Sequence, residues 1–123
     1  MLGLFEELDY QQTALGELIL RRRKILKLDR DVVEVILNDE HLMSDMFTAS
    51  EIALATIPMA LLEAAGRTDA DILVGGLGLG YTADAVLRSK ATGSLAVVEY
   101  LAPLIAWHEA GILPLGRRLA DDP

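Results

Sequence analysis

Between Asp71 and Glu99 an apolar run, a glycine-rich turn, a helix-like segment and a second apolar run follow without a break: DILVGGLGLGYTADAVLRSKATGSLAVVE. Strands that alternate with helices build parallel sheets covered by those helices. No other stretch restricts the fold as much. Gly76, Gly78 and Gly80 follow the predicted strand Ile72 to Val74 and precede a helix predicted to begin near Thr82. Glycine suits this place because the backbone must turn tightly and come close to a ligand, with the free N–H groups of the helix start pointing at it. Nineteen residues beyond Gly80, at the end of the next predicted strand, stands Glu99. A carboxylate there can accept both hydroxyl protons of a ribose. An acid closing the apolar strand Leu95-Ala96-Val97-Val98 is out of place for a purely structural residue. The loop departs from G-x-G-x-x-G, with Tyr81 and Thr82 after Gly80 and no glycine placed for pyrophosphate packing. A nucleoside without phosphates, such as an S-adenosyl compound, therefore fits it better than a nicotinamide dinucleotide. Gly76, Gly78, Gly80 and Glu99 are the candidate cofactor-binding residues, and no residue is assigned a catalytic role.

Upstream, LGELILRRRKILKL from Leu15 to Leu28 and VVEVIL from Val32 mix aliphatic and charged residues and read as two or three short antiparallel strands, with a turn at Asn38-Asp39-Glu40. Within them Arg21-Arg22-Arg23-Lys24 is expected to be a solvated edge rather than an anion site, because successive side chains alternate faces. Thr48-Ala49-Ser50-Glu51 has capping-box spacing and opens a helix expected to reach Ala65 and to stop at a left-handed Gly66. Pro58 is expected to kink or split it, and Met59, Leu61 and Leu62 to be core. The fold class is thus α/β: a small antiparallel β-region over 1–46, a linking helix over 47–66, and over 67–123 the first β-α-β-α units of a Rossmann-like parallel sheet. Two parallel strands leave an apolar edge such as Ile72-Leu73-Val74 open, so a homo-oligomer is expected. Trp107 is expected in the core or an interface, and His108 beside it exposed.

The chain has 123 residues and a formal charge of −8, which argues against a nucleic-acid surface. It has no cysteine, and its two histidines, His41 and His108, show no ligand spacing, so no metal is expected. The longest apolar run, Ile52 to Leu62, is too short to cross a bilayer, and Glu6, Glu7 and Asp9 stand where a secretory signal would be basic. No membrane partner and a cytoplasmic location are expected.

These residues resemble the spermidine synthase-like family of the class I S-adenosylmethionine-dependent transferase fold, over most of the chain. GLGLGYTADAVL from Gly76 is similar to the family's GGGDGGTLREVL, Val97-Val98-Glu99-Tyr100 to its VEID, and NDEHLMSDM from Asn38 to its RDEFxYHEM. The resemblance implies the N-terminal, cofactor-binding portion of a transferase that passes an aminopropyl group from decarboxylated S-adenosylmethionine to a polyamine. Gly76, Gly78 and Gly80 would then meet the cofactor and Glu99 its ribose. Leu79 stands where the family has the loop aspartate that recognises the aminopropyl amine, which brings in methyl transfer from S-adenosylmethionine itself as an alternative. Leu42, Met43 and Ser44 replace the Tyr-His pair, and His41 is expected to be a turn residue. A non-catalytic dimerising module is the alternative of a different class. The third and fourth strands of such a fold would follow Pro123, so the chain is expected to be the front part of a larger protein, and Asp121 and Asp122 a solvated tail.

Overall fold

The computed structural model describes residues 4–123, which divide into two compact units, with the chain boundary between Phe47 and Thr48. The first unit is a four-stranded antiparallel meander in sequence order: β1 (Phe5–Thr13), β2 (Gly16–Ile25), β3 (Arg30–Leu37) and β4 (Glu40–Ser44). Sequence reading finds β2 and β3 and misses β4 as well as β1, whose FEELDYQQT is poor in strand-forming residues. Its polarity is that of an edge strand: β1 lies outermost, and Glu6 pairs with Arg22 at 3.2 Å. The arginine-rich β2 is therefore interior and not an edge, with Leu18 and Leu20 fully buried and Leu20 opposite the buried Val35 of β3.

The turn at Asn38 and Asp39 has both residues at positive φ, 50° and 64°, which is the geometry that matches the twist of a two-residue hairpin. Glu40 and His41 belong to β4, so His41 is a strand residue, 3.9 Å from the Glu34 carboxylate. Asn38 also ties this turn to the first hairpin, accepting the Glu17 N–H at 2.9 Å and donating to the Leu15 carbonyl at 2.8 Å. Replacing Asn38 by alanine loses both bonds and strains the left-handed residue. The expected cost is about 1–2 kcal/mol, measured as a drop in urea midpoint by circular dichroism; no drop would show that the turn does not hold the two hairpins together.

The second unit, Thr48 to Pro123, contains α1 (Ala49–Ala64), β5 (Ala70–Gly75), α2 (Tyr81–Arg88), β6 (Thr92–Val98) and α3 (Ala102–Ala110). The expected helix from Thr48 is present and belongs to the same compact unit as the strands that follow it. Thr48 makes no side-chain capping bond, but Gly66 is left-handed at φ 76° and the Arg67 N–H closes the helix on the Leu62 carbonyl at 3.0 Å. Pro58 does not split α1. It sits on an exposed side, where water can take the carbonyl its missing N–H frees. Ala55 and Met59 are buried, whereas Leu61 is 70% exposed and is not core.

β5 and β6 pair in parallel. Ile72 and Val74 of β5 and Leu95 and Val97 of β6 form, with Ala55, Ala85 and Val86, one apolar cluster under the helices. The opposite face carries the exposed Leu73 and Val98. Gly93 lets the start of β6 approach β5's lead-in closely: a Cβ there would lie 2.6 Å from the Asp69 carbonyl carbon. Among the described residues no helix is long and apolar enough to cross a membrane.

Candidate functional site

The ladder between β5 and β6 runs past Gly75, since the Gly76 N–H donates to the Val98 carbonyl at 2.7 Å. The chain then turns through Gly76 at φ 91°, Gly78 at φ 52° and Gly80 at φ 92° into α2. All three values lie in the region that side chains rarely adopt, so glycine is required by the backbone path. The surroundings of Gly76 and Gly80 differ. A Cβ on Gly76 would meet nothing within 4 Å, so this backbone is open to approach. A Cβ on Gly80 would lie 2.6 Å from Leu119, 2.8 Å from His108 and 3.2 Å from Leu115. Gly80 is packed inside the protein by its own chain.

Leu95, Val97 and Glu99 alternate onto one face of β6, the face toward the helices, so the apolar row ends in a carboxylate just past the sheet. That carboxylate reaches the glycine loop. Glu99 Oε1 accepts the Leu77 N–H at 2.9 Å and the Gly78 N–H at 3.2 Å, and Oε2 accepts the Leu101 N–H at 3.1 Å. Burial works against ionisation of Glu99, but the donated N–H groups of Leu101, Gly78, Leu77 and Tyr100 outweigh it and hold the carboxyl below its ordinary range. Glu99 is an anion there at neutral pH.

A cavity of about 1000 Å³ opens beside the loop, with Leu77, Leu95, Val97 and Ile105 on its apolar wall and Glu99 and His108 among its polar groups. Its volume is at the upper end for small-molecule sites, and it is a half-open groove whose wall is about as polar as it is apolar. Among the described residues no group of three His, Asp or Glu side chains could hold a metal ion.

His108 corrects the sequence reading, which expects it in solvent. It is 3% exposed, and its Nε2 stands 2.9 Å from the Gly78 carbonyl, which can only accept. Nε2 is therefore the donor in this contact, and Nδ1 is buried without a hydrogen-bond partner. Helical spacing holds the signal for this burial: Leu101, Leu104 and His108 follow at three and four residues, beside Trp107, which is buried as expected. Leu79, in the loop, is buried and apolar.

The chain after α3 folds back onto this region. Leu113 is buried, and Arg118 reaches Asp84 in the first turn of α2 at 3.1 Å, where Arg88 also pairs with it at 3.0 Å. Asp121, expected in a solvated tail, is exposed and pairs with Arg117 at 2.7 Å. The four predicted site residues divide: Glu99 lines the cavity together with Leu77 and binds the Gly78 N–H, Gly76 continues the ladder to Val98, and Gly80 lies beneath the returning chain. Comparison with family models, with curated proteins and with solved structures finds no match to this chain.

Proposed function

We propose that the second unit binds the nucleoside of an S-adenosyl compound, as the cofactor-binding portion of a spermidine synthase-like transferase built on a Rossmann-like sheet. The observation that carries this reading is the Glu99 carboxylate held at the open glycine loop on the wall of the cavity. The strand-loop-helix-strand order and the parallel pairing of β5 with β6 support it. Glu99 lies on the cavity wall, where its carboxylate would accept a ribose hydroxyl alongside the backbone N–H groups that hold it, and Leu95, Val97 and Ile105 offer apolar wall to a base. A sulfonium cation would be favoured by the acids of the same wall, Glu99, Glu109 and Asp122.

Bound S-adenosylmethionine, or its decarboxylated form, supplies an electrophilic carbon beside sulfur, from which the thioether departs when an amine attacks. This chain's residues would hold and orient that compound. The buried Leu79 offers no carboxylate to an aminopropyl amine, which keeps methyl transfer as the second reading.

The test is calorimetric titration of the chain with S-adenosylmethionine, its decarboxylated form and methylthioadenosine. In Glu99→Ala each affinity is expected to fall about 10- to 100-fold, the worth of a hydrogen bond to a charged acceptor. The ligand preferred by the natural sequence separates aminopropyl from methyl transfer. Absence of heat with all three would sink the nucleoside reading and favour a module that retains the fold for association alone.

A further inference from the structure

Successive backbone N–H groups in a glycine-rich turn form a concave donor set that ordinarily holds an anion, most often a phosphate of a nucleotide. Here the set is already filled. Gly76 and Gly78, both at positive φ, flank Leu77 so that the Leu77 and Gly78 N–H groups converge on one point, and that point is Oε1 of Glu99. The carboxylate is fixed on its other side by the Leu101 N–H. It cannot swing clear without losing charge-assisted bonds at both oxygens. A phosphate entering the loop would either displace Glu99 or share the donors with it, and two anions at hydrogen-bond distance from one pair of N–H groups repel strongly in a half-buried site.

The neighbouring groups give an incoming phosphate no compensation. The first turn of α2, whose dipole would favour an anion, has the chain's own Asp84. Asp84 is 7% exposed and already engages the guanidiniums of Arg88 and Arg118. The start of the helix is covered at Gly80 by Leu115, Leu119 and His108. Around the cavity, Glu109 and Asp122 add negative charge, and Arg117 is committed to Asp121 and to the Glu109 carbonyl.

We propose that Glu99 is the specificity determinant of this site: by filling the loop's N–H groups, its carboxylate admits a neutral nucleoside or a cationic S-adenosyl compound and turns away a nucleoside that bears a 5′-phosphate. The inference rests on the nucleoside reading above and says which members of that ligand class are accepted. Glu99 then serves twice, filling the loop N–H groups through Oε1 and meeting the ribose from the cavity wall. An acid at this point narrows the ligand by charge as well as by its hydroxyls.

The experiment is a calorimetric titration of the full chain with adenosine, adenosine 5′-monophosphate and inorganic phosphate, on the natural sequence, on Glu99→Ala and on Glu99→Gln. The natural chain is expected to bind adenosine at least about 10-fold more tightly than the monophosphate, with no heat from phosphate. Glu99→Ala frees both loop donors, so the monophosphate should gain affinity while adenosine loses it, and the order should invert. Glu99→Gln keeps an oxygen for the loop without its charge and should bring the two affinities together, which also serves if the alanine variant does not fold. Equal or tighter binding of the monophosphate by the natural chain would overturn the proposal and leave nucleoside binding standing. So would an equal loss for both ligands in the variants. No binding of adenosine or of its monophosphate by any of the three proteins would overturn the nucleoside reading and this proposal together.

Discussion

Replacing Gly80 by alanine is expected to destabilise the second unit by about 3 kcal/mol, whereas the same change at Gly76 should cost about 1 kcal/mol. Both glycines have φ close to 90°, so the backbone penalty is shared. The difference lies in what a methyl group would meet. At Gly76 there is open space, but at Gly80 the added carbon would lie 2.6 Å from Cδ1 of Leu119 and 2.8 Å from Cε1 of His108. Leu119 is the end of a flexible side chain and can retreat. His108 cannot do so freely, because its ring is buried and its Nε2 is bonded to the Gly78 carbonyl. Moving the ring would break that bond and leave a second buried nitrogen without a partner beside Nδ1. Trp107, the chain's one tryptophan, neighbours His108 and reports this unit by its fluorescence. Thermal melts followed at that signal should drop by about 10 °C or more for Gly80→Ala and by only a few degrees for Gly76→Ala. Equal drops would mean that the returning chain does not press on Gly80. The two variants also separate the roles within the loop, since Gly80 serves the packing of α2 against the returning chain and Gly76 stands in open space.

The second unit is legible in the sequence because its elements are marked by local signals. Glycines at 75, 76, 78 and 80 and apolar strands of ordinary length place β5, α2 and β6 within two residues of their observed bounds. β1 is not legible: a polar edge strand forms by pairing with β2, and pairing is not a property of FEELDYQQT alone. Strict alternation also misleads at the arginines. Neighbours point to opposite faces, but Arg21 and Arg23 are two apart and share one, and both reach Glu34. At the candidate site, the position of Glu99 is legible from the strand it closes. Its bonds to the loop N–H groups are not, because they join backbone to side chain across 21 and 22 residues and depend on the detailed path of the turn. His108 escapes sequence reading for a different reason. The rule that a titratable residue seeks solvent gives way to helical spacing, which places the ring with Leu104.

Loss of Glu34 is the other large effect expected, about 2–3 kcal/mol for Glu34→Ala in the first unit. The side chain is 4% exposed in the middle of β3 and is held by two guanidiniums from β2, Arg23 at 2.7 Å and Arg21 at 3.3 Å. Arg21 also lies over the Phe5 ring of β1, 5.2 Å from its centre, so the cluster joins three strands of the sheet. Breaking a buried ion pair from one side typically costs about 3–5 kcal/mol. The lower figure applies here because Arg21 and Arg23 are 29% and 42% exposed and can turn to water once the carboxylate is gone. The same cluster sets a pH dependence. Burial of Glu34 opposes its charge, but the hydrogen bond from Arg23 and the charges of Arg21 and Arg23 prevail, and the carboxyl is held below its ordinary range. A carboxylate depressed in the folded state contributes stability that is fully present above the free glutamate value of about 4.3 and is lost as pH falls through the folded value. Urea midpoints followed by circular dichroism should therefore fall with acidification below about pH 5 in the natural chain, and fall less steeply in Glu34→Ala. Parallel acid profiles for the two proteins would show that Glu34 does not contribute to the acid response, and a midpoint unchanged at neutral pH would show that β1, β2 and β3 are held together by their apolar residues and ladder bonds without it.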